Sequence, residues 1–244
     1  MTADRSADTV DVLTGTSGFS YTAWRGTFYP EKLKPADMLA HYAQKLRAVE
    51  INNTFYRMPK AEVLEKWAQT VPAGFRFVLK ASQRITHRSR LKESGDDSVR
   101  YLLEISDRLG DHRGPFLLQL PPNMKADHER LARFLGVWPQ GVPAAWEFRH
   151  PSWFEGDATT QLLGDHGHAL CIADSGGEAD APRVATADFG YLRLRREDYG
   201  EDDLADWASW VAQQEWHSAY VFFKHEDAGA GPRMAGEFET LCQR

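Results

Sequence analysis

Cysteine is scarce: Cys171 and Cys242 are the only two in 244 residues. Two cysteines make no disulfide framework, so the fold must rest on a hydrophobic core, and a reducing, cytoplasmic setting is expected. Long apolar runs are also missing. No stretch approaches the roughly eighteen residues of a membrane-spanning helix, and Met1 to Asp11 lacks the apolar centre of a secretion signal. No membrane partner is expected. Surplus positive charge is absent too. A net charge of −6 argues against nucleic acid as a partner held by a general electrostatic footprint, although it leaves room for a local basic pocket. Cofactor motifs are lacking as well. There is no phosphate-binding loop, Gly15-Thr16-Ser17-Gly18 is too short for a dinucleotide fingerprint, and no His-Glu-x-x-His helix occurs. His166 and His168 flank Gly167, but ahead of a strand rather than after it. No organic cofactor is expected.

What is present is apolar material for a sizeable core, 42% of the chain, arranged in alternating strand and helix signals. The organising stretch is Val49-Glu50-Ile51-Asn52, where β-branched residues alternate with polar ones at the period of a strand. A short strand between two helical stretches reads as central, so Glu50 and Asn52 point to the face opposite the helices. Further strands are read at 10–16, 75–80, 116–120, 144–149, 169–174, 191–195 and 220–224. Helices are read at 36–46, 61–69, 98–109, 127–135, 159–166, 202–215 and 233–241. The stretch 175–188 has glycine, proline and acidic residues without helical periodicity, so one crossover, between strands six and seven, is expected to be degenerate. Eight strands alternating with helices predict an α/β fold, a TIM-like (β/α)8 barrel, with an open doubly wound sheet as the alternative. No linker-like composition shift appears, so residues 1–244 are read as a single domain with a loose start over 1–10.

Strand parity predicts what faces the lumen. One alternating set is apolar and belongs against the helices: Val49 and Ile51, Phe77 and Leu79, Leu118 and Leu120, Trp146 and Phe148, Cys171 and Ala173. The other set is polar: Thr14 and Thr16, Glu50 and Asn52, Lys80, Gln119, Glu147 and Arg149, Asp174, Arg193 and Arg195, Lys224. Most of these lie at strand C-terminal ends, the face on which such barrels carry their sites. Cations are at least as numerous as carboxylates, so an anionic or strongly polar small-molecule ligand is expected. The plainer reading is an ion network in which Glu50 and Glu147 neutralise Lys80, Arg149 and Arg193, since unpaired buried charge is costly.

Gly15-Thr16-Ser17-Gly18-Phe19, followed by Tyr21, Trp24 and Phe28-Tyr29-Pro30, resembles the opening motif of the YecE-like proteins, known as domain of unknown function 72. Val49-Glu50-Ile51-Asn52 with Thr54-Phe55-Tyr56, Gln119-Leu120-Pro121-Pro122, Glu147-Phe148-Arg149-His150 with Ser152-Trp153, and Thr186-Ala187-Asp188-Phe189 with Tyr191 and Arg193 resemble the later motifs in order. The resemblance runs from Thr14 to Ala235 and implies a TIM-like barrel without implying a reaction. Arg195-Arg196 stands where many members carry His-Gly, and Lys224-His225 where an Asn pair is common.

General acid–base chemistry requires a group whose pKa has moved toward working pH. Glu50, Glu147 and Lys80 are the candidates, with His150 beyond the fifth strand as a proton shuttle or, alternatively, a loop cap. Arg149 and Arg193 would clamp an anion. Thr16, Ser17, Asn52, Arg57, Gln119, Asp174 and Lys224 complete the expected lining, and His87 in the third loop would close over it or lie on the surface. Tyr21, Trp24, Tyr56 and Trp153 follow strands, with Phe19 and Phe55, and would either stack on a sugar or base or plug the loops together. Hydrolysis, elimination or isomerisation without a cofactor is the leading expectation. A non-catalytic binder, of a ligand or of single-stranded nucleic acid, is the alternative. No metal site is assigned; a divalent cation on Glu50, Glu147 and Asp174 is opposed by the neighbouring cations. A Schiff-base lysine at Lys80 or Lys224 is disfavoured on the expectation that nearby carboxylates keep it charged.

Overall fold

The computed structural model describes residues 9–177, 180–197, 199–224 and 229–243. Residues 1–8 of the loose start expected over 1–10, and His225, lie outside the described residues, while Val10 packs against the core. Eight parallel strands close into a barrel in chain order: β1 (Asp11–Ser17), β2 (Ala48–Ile51), β3 (Arg76–Lys80), β4 (Arg113–Gln119), β5 (Ala144–Glu147), β6 (Ala169–Asp174), β7 (Phe189–Leu194) and β8 (Ser218–Phe223). Closure comes from β1 pairing with β8 over six residues, from Asp11 against Ser218 to Thr16 against Phe223. No edge is left to pair with another chain. The TIM-like barrel read from the alternation is the observed fold.

Among the described residues, seven α-helices follow strands: α1 (Met38–Ala43), α2 (Ala61–Thr70), α3 (Asp96–Ser106), α4 (His128–Val137), α5 (Ala158–Asp165), α6 (Glu201–Ala212) and α7 (Ala230–Cys242). Among the described residues no helix occupies the β6–β7 crossover, as its composition suggests. Local chemistry sets the ends. Asp127 caps α4 by accepting from the Arg130 amide at 3.0 Å, relieving one of the unpaired donors of the first turn. Pro35 opens a 3-10 turn ahead of α1, where its missing N–H costs nothing. Among the described residues, no helix is long and apolar enough to cross a membrane.

Two apolar layers stabilise the barrel. Outside the strands, Val49, Ile51, Phe77, Leu79, Leu118 and Trp146 pack against the helices as parity predicts. Inside, Leu13, Ala48, Val78, Leu117, Ala145, Cys171, Tyr191 and Phe222 fill the lumen. Three assignments of face are corrected. Thr14 and Thr16 look outward: Thr14 donates to Glu239 of α7 at 2.8 Å, and the Thr16 hydroxyl lies 2.9 Å from the Tyr42 hydroxyl of α1. Cys171 belongs to the inner cluster rather than the helix side. Asp174, three residues beyond the inward Cys171 and so on the opposite face, looks toward α6 and accepts from Trp207 Nε1 at 3.2 Å. In β1 the lumen face is instead Leu13, Gly15 and Ser17. At Gly15 the backbones of β1 and β2 crowd so closely that an added Cβ would sit 1.9 Å from the Ala48 carbonyl oxygen.

Candidate active site at the barrel mouth

Above the inner apolar layer, the C-terminal ends of four strands, β2, β3, β5 and β7, deliver charge, and β4 delivers the Gln119 amide. Glu50 (β2) is fully buried, and its two carboxylate oxygens accept four hydrogen bonds. Oε1 takes Ser17 Oγ at 2.8 Å, Asn52 Nδ2 at 2.9 Å and Arg193 at 2.7 Å. Oε2 takes the Tyr191 hydroxyl at 2.7 Å. Glu147 (β5) is held as tightly: Oε2 accepts from Gln119 Nε2 at 2.8 Å and Arg193 at 2.5 Å, and Oε1 lies 3.2 Å from Arg149 Nε. Arg195 approaches the same carboxylate at 3.5 Å. Arg193 (β7) therefore bridges both carboxylates with its two terminal nitrogens, a fork geometry lysine cannot supply.

The electrostatics follow. Burial alone would push the Glu50 carboxyl up, but Arg193 and the bonds from Tyr191, Ser17 and Asn52 outweigh it and hold the group below the ordinary carboxylate range. Glu147 is held down in the same way, burial being overcome by Arg193, Arg149, Gln119 and Lys80. The reverse holds at Lys80. Burial and the repulsion of Arg193 lower the ammonium to about 8, against the pull of Glu50 and Glu147. Glu50 and Glu147 still act to keep this lysine charged, as expected, while burial and Arg193 bring its titration closer to neutral pH. Its Nζ donates to Gln119 Oε1 at 2.8 Å, a neutral amide, and lies 4.6 Å from the Phe55 ring centre.

Near Lys80 stands His87, edge-on to Phe55 at 4.8 Å, its ring nitrogen 2.9 Å from the Thr86 hydroxyl. Burial, Lys80, Arg149 and Arg90 lower its pKa, so it is neutral near pH 7. The barrel thus brings Ser17, Glu50, Asn52, Lys80, His87, Gln119, Glu147, Arg149 and Arg193 into one neighbourhood. Four cations (Lys80, Arg149, Arg193, Arg195) share two carboxylates. Arg149 is 39% exposed, so the surplus charge reaches the mouth. Buried Arg195 Nε has no hydrogen-bond partner.

Other expected site residues lie elsewhere. His150 caps the turn after β5, accepting from the Ser152 amide at 3.2 Å, the loop-cap alternative. Trp24 and Trp153 are buried plugs rather than stacking faces; Trp153 Nε1 donates to the Met124 carbonyl at 2.8 Å. Tyr21 is tied to the Ser17 carbonyl at 2.6 Å. Tyr56 and Arg57 are exposed and line a separate groove with Arg84 and Tyr101. Lys224 is exposed past the end of β8. Asp174, on the far side of β6, forms no site with Glu50 and Glu147, and among the described residues no group of three or more His, Cys, Asp or Glu is placed to hold a metal ion. Tyr191 was missed. Its signal was available, since it lies two residues before Arg193 and shares its face.

A family profile described as "Protein of unknown function DUF72" matches residues 13–244. The chain is similar to UPF0759 protein YunF of Bacillus subtilis (strain 168), 28% identical over 182 residues that cover 68% of this chain and 64% of that protein. It is also similar to UPF0759 protein YecE of Escherichia coli (strain K12), 32% identical over 126 residues, covering 51% and 46%. The chain thus spans about half to two thirds of the length of these curated relatives. A crystal structure of a DUF72 family protein from Thermotoga maritima MSB8 superimposes with a TM-score of 0.81 at 26% identity, covering 96% of this chain and 100% of that one.

Proposed function

We propose that this chain, which belongs to the DUF72 family, is a cytoplasmic enzyme that binds a small anionic molecule at the C-terminal mouth of the barrel and moves a proton on it. The surplus of cations carries the reading. Arg193 is consumed by Glu50 and Glu147, whereas Lys80, Arg149 and Arg195 add more positive charge around them than the two carboxylates neutralise. A phosphate or carboxylate ligand would complete that balance, and charge-assisted bonds from guanidinium groups would orient it. Sugar-like and nucleotide-like anions both fit this chemistry.

The acid–base role falls to Lys80. Glu50 accepts four bonds from protein donors, three at Oε1 and one at Oε2, so it is committed mainly to holding its neighbours. With pKa values held low, Glu50 and Glu147 are weak bases and act as positioning residues that fix Arg193, Gln119 and, through Gln119, Lys80. Lys80, lowered to about 8, has an acidity matched to neutral solution. Buried Trp24 and Trp153 withhold their rings from a base or sugar, so the nucleic-acid alternative gains no support from the first loop.

Calorimetric titration with inorganic phosphate, glycolate and an uncharged sugar tests the reading. Saturable binding of the anions alone is expected, weakened about tenfold or more in Arg149→Gln, equivalent to about 1.4 kcal/mol. If the uncharged sugar binds as well as phosphate, or Arg149→Gln binds phosphate unchanged, the anion site is elsewhere or absent.

A further inference from the structure

Of the nine lysines in the chain, eight (Lys32, Lys34, Lys45, Lys60, Lys66, Lys92, Lys125 and Lys224) are exposed and one, Lys80, is buried. Among the described residues, Lys80 is also a buried cation with no carboxylate within ion-pairing distance. Its hydrogen bond goes to the amide oxygen of Gln119 at 2.8 Å, and that amide is fixed by its own donation to Glu147 at 2.8 Å. The ammonium lies over the Phe55 ring, 4.6 Å from its centre. Around it stand Arg193 from β7, Arg149 just past β5 and the neutral His87 from the loop after β3, with Glu50 and Glu147 turned toward Arg193. A buried amine with a neutral acceptor, ringed by guanidinium groups, is the arrangement that exposes a nitrogen lone pair beside an anion-binding surface.

We infer that Lys80 is a covalent amine, condensing with the carbonyl carbon of a phosphorylated or carboxylated aldehyde or ketone to form an imine. The inference rests on the anion site proposed above and narrows its substrates to anionic carbonyl compounds. In the step, the unprotonated Nζ adds to the carbonyl carbon, the carbonyl oxygen takes up a proton, and the carbinolamine hydroxyl leaves as water while a C=N bond replaces C=O. No oxidant or metal is consumed. Arg149 and Arg195 would hold the phosphate or carboxylate, and His87, neutral and beside Lys80, is placed to relay the proton that Nζ gives up on addition. Protonated, the imine draws electrons from the adjacent carbon, which is what isomerisation, decarboxylation or retro-aldol cleavage requires. The lowered pKa of Lys80 supports the assignment, because a free amine is then available in near-neutral solution.

The probes are pyridoxal 5′-phosphate, a phosphorylated aldehyde, and the smaller glyoxylate, each added to the intact protein, reduced with borohydride and mapped by peptide mass spectrometry. One equivalent of secondary amine at Lys80 is expected, with half-maximal labelling rate near pH 8. Lys80→Met should lose that adduct while keeping the wild-type denaturation cooperativity. Lys80 unmodified by both probes while exposed lysines take up label would overturn the inference. Inorganic phosphate separates the two readings: if phosphate binds yet Lys80 takes no label, the anion site stands without covalent chemistry. If Lys80 is labelled but phosphate gives no protection, the amine stands and the anion site falls.

Discussion

The lower and upper halves of the barrel interior are built by the same strands with the same parity, yet they differ in chemistry. Below, Leu13, Ala48, Val78, Leu117, Ala145 and Cys171 form a dry apolar layer. One residue pair further along, β2, β3, β4, β5 and β7 present Glu50, Lys80, Gln119, Glu147 and Arg193, all at most 9% exposed. The lower layer needs only shape and is stable at any pH. The upper layer is stable only while every charge keeps its partner, so it is costly to disturb and responsive to protonation. A lumen filled by side chains for stability alone would have carried the apolar layer upward; the charged layer sits where substrates reach barrels of this type.

The contrast can be broken most directly at Arg193. Arg193→Met removes the partner of two buried carboxylates, and equilibrium denaturation should show a loss of about 3–5 kcal/mol. Adding Glu50→Gln and Glu147→Gln to that variant should restore part of the loss, because no buried charge is then unpaired. A single-variant loss under about 1 kcal/mol would mean that water already reaches this layer. Next comes the lower layer, where Leu117→Ala should cost about 2–4 kcal/mol through transfer and cavity terms. That loss should be equal at neutral and alkaline pH, since no titrating group is involved.

A smaller effect is the acid limb. Glu50 and Glu147 have folded pKa values below the ordinary 4.5, so their contribution is fully present above pH 4.5 and is lost as pH falls through the lower folded values. Denaturation midpoints measured down the acid range should drop steeply in the wild type and more shallowly in Glu147→Gln. The alkaline limb is opposite in sign. Lys80 titrates near 8 when folded against 10.5 when unfolded, so between those values the unfolded chain binds more protons and stability should rise with pH. Lys80→Met should flatten that rise. Last is Tyr56, 73% exposed outside both layers; Tyr56→Ala should change stability by no more than about 0.5 kcal/mol and leave phosphate affinity unaltered.

Much of the upper layer was legible in the chain. Glu50 between Val49 and Ile51, Glu147 between Trp146 and Phe148, and Arg193 between Leu192 and Leu194 each stand alone among apolar neighbours, so parity put them in the lumen. Parity misled in β1 and β6 because both alternating sets there contain apolar or small residues. Leu13 and Gly15 face inward while Thr14 and Thr16 satisfy α7 and α1, and Asp174 finds Tyr199 and Trp207 outside. The aromatic loop was ambiguous for a related reason. Whether Trp24 stacks on a ligand or plugs a gap depends on Tyr21, Phe28 and Tyr29 closing around it at 4.7–5.9 Å.

The amino-acid sequence by itself determined the alternation of eight strands with helices, and hence a closed barrel with most of its polar residues at one end, because period-2 and period-3.6 patterns are local properties. Only the tertiary structure decided which charges meet. Glu50 and Arg193 are 143 residues apart in the chain and 2.7 Å apart in the barrel, and that contact leaves Lys80 to Gln119 instead of a carboxylate. Coulomb energies and desolvation depend on distance through space and on burial, neither of which a linear order of residues contains.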